Sequence, residues 1–408
     1  MSISHGKNCP LTKFECLSLI FYFLVEINAD LFIHRSLYII AVGMLLVSFF
    51  NHISLNIIRN RSFVQWAVPW IIMTMFSILY SVGLSQTVTA VFTIGARLFV
   101  MLLLIQRCNN SSVFLLDYIK LFIITQIINT LYILSIVDLS ILGHTQLGRS
   151  IDERWNSNSI GIGLAYTVFA IFVILYHNVL KSKFEKTIFF LCMVLFVTVI
   201  LLTGSRKALF IFVVSILMFY LLSSDLNSIL PRIMLVILIL IVIWWLIMNI
   251  EALYRVLGVR VERLLYSLLG DSNVNDISVN TRKRLIEYGA MWIKEKPILG
   301  YGMNTFEIKY GNATGQYWYS HNNYIEVTEG TGIIGAITYY WVFIRFIKRS
   351  LKKSFQNWRI VLALSLVILI NDYGTVSYKM FIVQMCILCM LVMIEATEDR
   401  CKEETKNA

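Results

Sequence analysis

Apolar stretches of about 17 to 25 residues recur along the chain between short polar segments, and each is long enough to cross a hydrocarbon core of roughly 30 Å as a helix. About twelve such runs are read, over 14–33, 37–58, 63–83, 87–105, 113–137, 157–180, 187–203, 207–222, 233–250, 322–344, 358–372 and 377–396. Glu26 and Asp30 interrupt the first, which reads as a shorter span ending in a polar lip. The pattern predicts an all-α, polytopic membrane protein with one integral domain over 1–408. Neither low-complexity linkers nor an obvious internal repeat divide it. No cleavable signal peptide is expected, because the first apolar stretch lacks a small-residue cleavage site and further spans follow at once.

One interval departs from this rhythm, residues 251–320, which reads as a large extracytoplasmic helical loop. Within it Leu253, Val256, Leu257, Val261, Leu264, Leu265 and Leu268 recur at helical spacing opposite Arg255, Arg260, Glu262 and Arg263. Such a pattern describes a helix lying along the membrane surface. A second helix is predicted from Asn280, a suitable N-cap, to about Lys296 before Pro297, with Leu285, Tyr288 and Trp292 as its apolar stripe. Pro297 to Gly302 then turns the chain back.

Composition agrees with a membrane protein: 58% of the 408 residues are hydrophobic and 14% charged. The mean hydropathy is +0.73. A soluble surface cannot be covered at that ratio. Lys7, Lys13, Arg59, Arg61, Arg107, Lys181, Lys183, Lys186, Arg232 and the cluster from Arg345 to Lys353 share one side if twelve spans alternate. The positive-inside bias makes that side cytoplasmic, with both termini. The net charge of +11 follows from this bias and calls for no nucleic-acid partner. Cys9, Cys108 and Cys401 fall on the cytoplasmic side and the other cysteines in or beside spans, so no disulfide is expected. Cys386 and Cys389 read as helix packing rather than as a redox or metal pair.

Candidate chemistry begins at His321, where a polar entry runs into a glycine-punctuated apolar helix. A histidine at the watery mouth of a span can exchange protons near neutral pH, and it can equally serve as a hydrogen-bonded anchor. On an uninterrupted helix His321, Ile325, Thr328, Gly332 and Gly335 lie within about 40° of one line, which would let a neighbouring helix approach closely. Glu326 and Glu329 lie deeper, where a carboxylate is paired or functional, and Glu329 is a candidate partner for Arg97. Arg206 follows Thr203-Gly204-Ser205 on the outward side, where the positive-inside rule disfavours arginine unless something uses it. Arg282, Lys283 and Arg284 break the same rule, and with Arg206 they suit a diphosphate through forked hydrogen bonds. Arg149, Asp152, Glu153 and Arg154 read as a solvated loop face or as sugar contacts. Tyr317, Trp318 and Tyr319 fit the interfacial aromatic belt better than a sugar-stacking platform. The six histidines are scattered, so neither a metal site nor a cofactor is expected.

These residues resemble the superfamily of O-antigen ligases and polymerases in bacterial envelope polysaccharide assembly. The likeness covers the second half of the chain from Arg206 and is most specific over 280–335. The family's histidine motif is His-Asn, nine residues, Gly, two residues, Gly. Here it reads His321-Asn322, then 323–331, then Gly332-Ile333-Ile334-Gly335. The family's Arg-x-x-Leu after a polar turn reads Arg206-Lys207-Ala208-Leu209, and Arg282 stands fifteen residues ahead of Pro297 at the close of an amphipathic helix. The resemblance implies a GT-C-like architecture and glycosyl transfer from an undecaprenyl-diphosphate-linked oligosaccharide at the outer face of the bacterial inner membrane. It implies His321 as the base and Arg206 and Arg282 as catalytic cations, beside the candidate substrate-binding residues Arg284, Asn322, Tyr324 and Arg97. A chain-length regulator and a flippase are the candidate membrane partners.

Polymerase and ligase carry the same motifs and differ in acceptor, which is the next carrier-linked repeat unit or lipid A-core. The polymerase is the preferred reading, because such enzymes are numerous and vary between polysaccharide gene clusters. A flippase or ion-coupled transporter using Arg97, Glu26, Asp30 and Glu329 is a third reading. It fits less well, since no paired broken spans occur in corresponding halves and the chain holds four prolines.

Overall fold

The computed structural model describes residues 11–28, 35–52, 61–109, 114–136, 159–177, 180, 182–221, 229–268, 277–352 and 357–407. In chain order the helices are α1 (Lys13–Ile27), α2 (Arg35–Phe49), α3 (Arg61–Phe76), α4 (Leu84–Asn109), α5 (Phe114–Ile136), α6 (Ser159–His177), α7 (Lys183–Leu202), α8 (Arg206–Leu221) and α9 (Ile229–Asn249). They continue with α10 (Val259–Leu268), α11 (Ile277–Glu295), α12 (Phe306–Thr314), α13 (Asn323–Leu351), α14 (Trp358–Asp372) and α15 (Phe381–Asn407). Among the described residues there is no strand.

Each of the twelve apolar runs overlaps a helix among the described residues, but fewer than twelve of these helices are long and apolar enough to cross a membrane. Five helices among the described residues are long and apolar enough to cross a membrane: Arg61–Tyr80, Leu84–Cys108, Leu115–Ser135, Lys183–Leu202 and Asn323–Leu351. A sixth is added if Ile233–Asn249 and Glu251–Arg263, bent by 90°, count as one span. Ser36–Phe49, Ala165–Ile174 and Phe381–Glu395 are apolar but shorter. The chain is a membrane protein, and large apolar side chains such as Ile39, Leu79 and Phe92 are exposed on its helices, as a lipid-facing surface requires.

Two compact units emerge from the chain, 1–51 with 111–275 and 52–110 with 276–408. In the first, α1, α5, α6 and α7 share an aromatic core. Phe122 meets Phe169 at 4.3 Å and Phe23 at 5.0 Å between ring centroids. Gly163 lets α6 approach α8, since a Cβ there would stand 2.4 Å from the Cβ of Ala208. The bend after α9 turns the chain through a π-helical stretch, Tyr254–Gly258, into α10. Leu257, with Leu253 and Val261 beside it, packs on Leu201, Ile243 and Ile247, so the expected surface helix leans its apolar stripe on its own unit.

In the second unit α3 packs on α13, with Trp66 Nε1 donating to the carbonyl of Tyr339 at 3.1 Å and Trp70 against the Tyr339 ring at 4.9 Å. α11 runs from Ile277, so Asn280 lies inside the helix and is not its N-cap; Ile277 and Val279 extend the helical run ahead of it. α12 follows the returning turn, over residues where no helix was predicted, and it ends on Gly315 at φ +76°.

The expected stripe from His321 to Gly335 does not form. His321 precedes the helix, and Gly332 (φ 68°, ψ −175°) breaks α13 in its interior. The break is filled from outside: Ile333 donates to the carbonyl of Pro297 at 2.8 Å, Tyr301 to that of Glu329 at 2.9 Å and Gly302 to that of Gly330 at 2.9 Å. A Cβ on Gly332 would stand 1.9 Å from the Ile298 oxygen, and one on Gly300 2.3 Å from the Glu329 oxygen. These glycines therefore admit the 297–302 loop into the kink, where a neighbouring helix had been expected. The far side of the loop is held by α4 and the turn before it, through Val82 N–H to Tyr301 O at 3.0 Å and Thr87 Oγ1 to Met303 O at 2.8 Å.

Candidate active site

Residues 319–323 form a tight entry to α13. Asn322 is the N-cap, its side chain accepting from Ile325 N–H at 3.1 Å, a contact worth about 1 kcal/mol. Ser320 closes the turn on both sides: its Oγ donates to the Asn322 carbonyl at 2.8 Å and accepts from Asn322 N–H at 3.2 Å. The buried Glu326 accepts from Ser320 N–H at 3.2 Å. Between these fixed residues His321 sits at φ +53°, a left-handed conformation that costs a non-glycine residue about 1 kcal/mol. A strained backbone persists where its surroundings hold it, and here they aim one imidazole. The ring lies 4.0 Å from that of Tyr319 and is partly exposed.

α11 packs against this entry. A Cβ on Gly289 would stand 2.2 Å from Ile325 Cγ2, so the two helices touch one turn beyond the histidine. Beneath them Leu285, Trp292, Tyr301, Phe306 and Tyr310 form a buried cluster. Edge-to-face pairs within it, Trp292 with Phe306 and Tyr288 with Tyr310, each at 5.2 Å, fix the helix axis. Arg282 stands seven residues before Gly289, about 20° from it around the helix and about 10 Å along it. It is partly buried, on the side of α11 that carries Gly289. Arg284 is exposed and lies about 200° from Arg282, so the helix separates these two candidate phosphate ligands.

Glu329 does not pair with Arg97. Its carboxylate, fully buried, faces Lys309 of α12 at 3.6 Å between Nζ and Oε1. The Lys309 ammonium also sits over the rings of Tyr301 and Trp292, at 2.7 and 4.3 Å. Burial pulls the Lys309 ammonium down to about 8, against the opposing pull of Glu329 and Glu295. Burial likewise raises the Tyr301 phenol to about 12, helped by its hydrogen bond to Glu295 at 2.5 Å. Sequence reading passed over Lys309, since a lysine in a polar loop carries no signal that it will be roofed by aromatic rings.

Arg97 of α4 donates instead to the carbonyl of Lys379. Lys379 Nζ and Tyr378 OH both donate to Asn304 Oδ1, at 3.0 and 3.3 Å. Tyr324 OH donates to the Leu369 carbonyl at 2.8 Å, and its ring stacks on Tyr340 at 4.9 Å. Tyr324 thus spends its hydroxyl on α14 and its ring on Tyr340. Tyr317 and Trp318 are exposed, and Trp318 stacks on Tyr310 at 6.5 Å.

Arg206 belongs to the first unit, where it opens α8. Ser205 caps that helix, its Oγ accepting from Ala208 N–H at 3.2 Å, after Gly204 turns the chain at φ 60°. Arg206 Nη1 donates to the carbonyl of Arg260 at 2.8 Å, and Arg260 Nη1 makes a long 3.5 Å contact to the Gly204 carbonyl. The start of α8 therefore gathers two guanidinium groups where the helix dipole is already positive. Arg260 was read only as the polar face of a surface helix. The loop 143–155, with Arg149, Asp152, Glu153 and Arg154, lies outside the described residues, as does Asp30. Among the described residues no three His, Cys, Asp or Glu side chains form a metal-holding group.

Residues 191–340 match the family model Wzy_C, described as O-antigen ligase. The matched stretch opens within α7 and closes within α13, taking in Arg206, Arg282 and the whole histidine motif. No curated protein matches the chain.

Proposed function

We propose that this chain, whose residues 191–340 match the O-antigen ligase family model, is a glycosyltransferase that polymerises O-antigen from an undecaprenyl-diphosphate-linked donor. In this reaction the bond between the anomeric carbon and the diphosphate oxygen breaks, and a bond from that carbon to an acceptor hydroxyl forms. The acceptor proton passes to the His321 imidazole. An alcohol is a poor nucleophile, and a base that titrates near neutrality assists its attack. The diphosphate leaves with the electron pair, and cationic side chains stabilise the negative charge developing on it, the role that the family resemblance assigns to Arg206 and to Arg282. Arginine suits this role because its planar fork pairs with phosphate oxygens and stays charged. With cationic side chains meeting the leaving group, the transfer requires no metal ion.

The observation that carries this reading is the His321 turn, strained and held by Ser320, the Asn322 cap and Glu326, within the matched stretch. Arg284, Asn322, Tyr324 and Arg97 are assigned to substrate binding. We assign to the chain a GT-C-like arrangement of about twelve crossings, one for each apolar run of the sequence, with both termini cytoplasmic and the histidine facing the periplasm of the inner membrane. A chain-length regulator and a flippase are the expected neighbours.

The ligase reading differs in acceptor alone, and the family match fits it as well as the polymerase. Surface lipopolysaccharide from the host strain, with this gene deleted and then restored, separates the two. A ladder reduced to core plus one repeat unit identifies the polymerase. Bare core without any O-antigen-bearing band identifies the ligase, and an unchanged ladder removes both.

A further inference from the structure

A carboxylate at the C-terminal end of a helix works against the helix dipole, and a buried one is costly unless donors surround it. Asp372 meets both conditions: it is the last residue of α14 and has no accessible surface. Its surroundings explain why it is tolerated. Oδ2 accepts from Asn323 Nδ2 and from Tyr340 OH, each at 3.0 Å, and Oδ1 accepts from Ser377 Oγ. Asn323 Nδ2 also reaches Tyr340 OH at 2.8 Å, which closes a ring of buried hydrogen bonds.

Asn323 is the link from this ring to the chemistry. It is the first residue of α13, next to the Asn322 cap and two residues from His321. While its Nδ2 is held by Asp372, its Oδ1 accepts the backbone N–H groups of Ser377 and Tyr378, both at 2.9 Å. The residue after Tyr378 supplies the carbonyl that receives Arg97. One buried carboxylate thus orients the amide that fixes the start of α13, directly after the histidine turn, to the segment that holds Arg97.

From this geometry we propose that Asp372 is a positioning residue for glycosyl transfer, acting through Asn323 to set the direction of His321 and the place of Arg97. The inference rests on His321 being the base. It concerns geometry, not charge. Asparagine at 372 can keep its oxygen toward Asn323 and Tyr340 and turn its amide toward Ser377 Oγ, which can accept as well as donate. Alanine keeps none of these contacts.

The test is turnover of the purified full-length protein in liposomes, per correctly folded enzyme, with a lipid-diphosphate-linked oligosaccharide as donor and acceptor. Misplacing a catalytic group by about 1 Å costs about 100-fold, so Asp372→Ala is expected to lower kcat by about that factor and, through the displaced Arg97, to raise donor KM by a few-fold. Asp372→Asn is expected to stay within about threefold of wild type, since each hydrogen bond of the ring survives in it. Asn323→Asp sets two carboxylates together and is expected to fall as far as the alanine variant. The double variant Asn323→Asp/Asp372→Asn restores an amide–carboxylate pair in reverse and is expected to regain at least about tenfold over Asn323→Asp. That recovery is the decisive readout if Asp372→Ala fails to fold, because a general loss of packing would not be reversed by exchanging the two groups. Wild-type kcat in Asp372→Ala, an Asp372→Asn variant as poor as alanine, or no recovery in the exchange would each overturn the proposal. His321→Ala is run beside them: full activity there removes the base reading itself, whereas an inactive His321→Ala with a fully active Asp372→Ala removes only the positioning role.

Discussion

Ile333 donates its backbone N–H to the carbonyl of Pro297 at 2.8 Å, across the point where Gly332 breaks α13. This bond joins the end of the Arg282 segment to the helix that carries the histidine motif. It also explains why the motif's first glycine stands eleven residues after His321. A side chain at Gly332 would occupy the space of the docking loop.

Substitution at Gly332 should therefore be severe. Gly332→Ala brings a Cβ to 1.9 Å from the Ile298 oxygen at a backbone conformation that alanine disfavours. It should cost about 3 kcal/mol or more. Gly315→Ala is the control: φ is +76° but nothing lies within 4 Å of a Cβ there, so the expected cost is about 1 kcal/mol. Thermal unfolding in detergent, followed by tryptophan fluorescence, reads the difference. Equal effects would show that left-handed backbone strain, and not the docked loop, dominates at Gly332.

Lys309 and Glu329 should behave as a pair. Lys309→Met leaves a buried carboxylate without its counter-ion, a change that costs about 3–5 kcal/mol. Adding Glu329→Gln should recover most of that loss, because a neutral amide is cheaper to bury. Unfolding midpoints of the single and double variants at pH 7 decide the matter, and a double variant less stable than Lys309→Met would refute the pairing.

Arg282 and Arg284 should differ in kind. Arg282→Lys keeps the charge but loses the fork, and should lower kcat by about tenfold or more if paired hydrogen bonds to phosphate are its task. Arg284→Ala, on the exposed side of α11, should raise donor KM and spare kcat. Steady-state kinetics with a lipid-linked donor separates these outcomes, and wild-type kcat in Arg282→Lys would reduce Arg282 to a surface charge.

Arg206 touches Arg260 through the Arg260 backbone carbonyl. Arg260→Ala keeps that acceptor and should leave transfer within about threefold of wild type, while Arg206→Ala should lose about 100-fold or more. Matching losses in the same assay would make Arg260 a functional partner in its own right.

The helices of this protein are legible because a membrane-length apolar run leaves the backbone few alternatives to a helix. The candidate cations and the histidine were legible for a related reason: a charged or titratable group beside membrane-length apolar runs needs a purpose. What escaped reading was set by contacts distant in sequence. Gly332 looked like a packing residue, since its small size is the same whether a helix or a loop fills the space. α12 carries Gly311 and Asn312, weak helix formers, and is held by Phe306 and Tyr310 in the aromatic cluster under α11. Asp372 closes the apolar run 358–372 without any local signal of its role, because its partners Asn323 and Tyr340 come from a helix before it in sequence.

The central claim is that His321 takes the acceptor proton during transfer from a lipid diphosphate. It is tested most directly by purified wild-type and His321→Ala protein in liposomes carrying a synthetic undecaprenyl-diphosphate-linked oligosaccharide, with elongated glycan and released lipid diphosphate both measured. The account predicts both products with wild type and neither with His321→Ala, at equal insertion and equal thermal stability. Elongation at the wild-type rate by His321→Ala would contradict it.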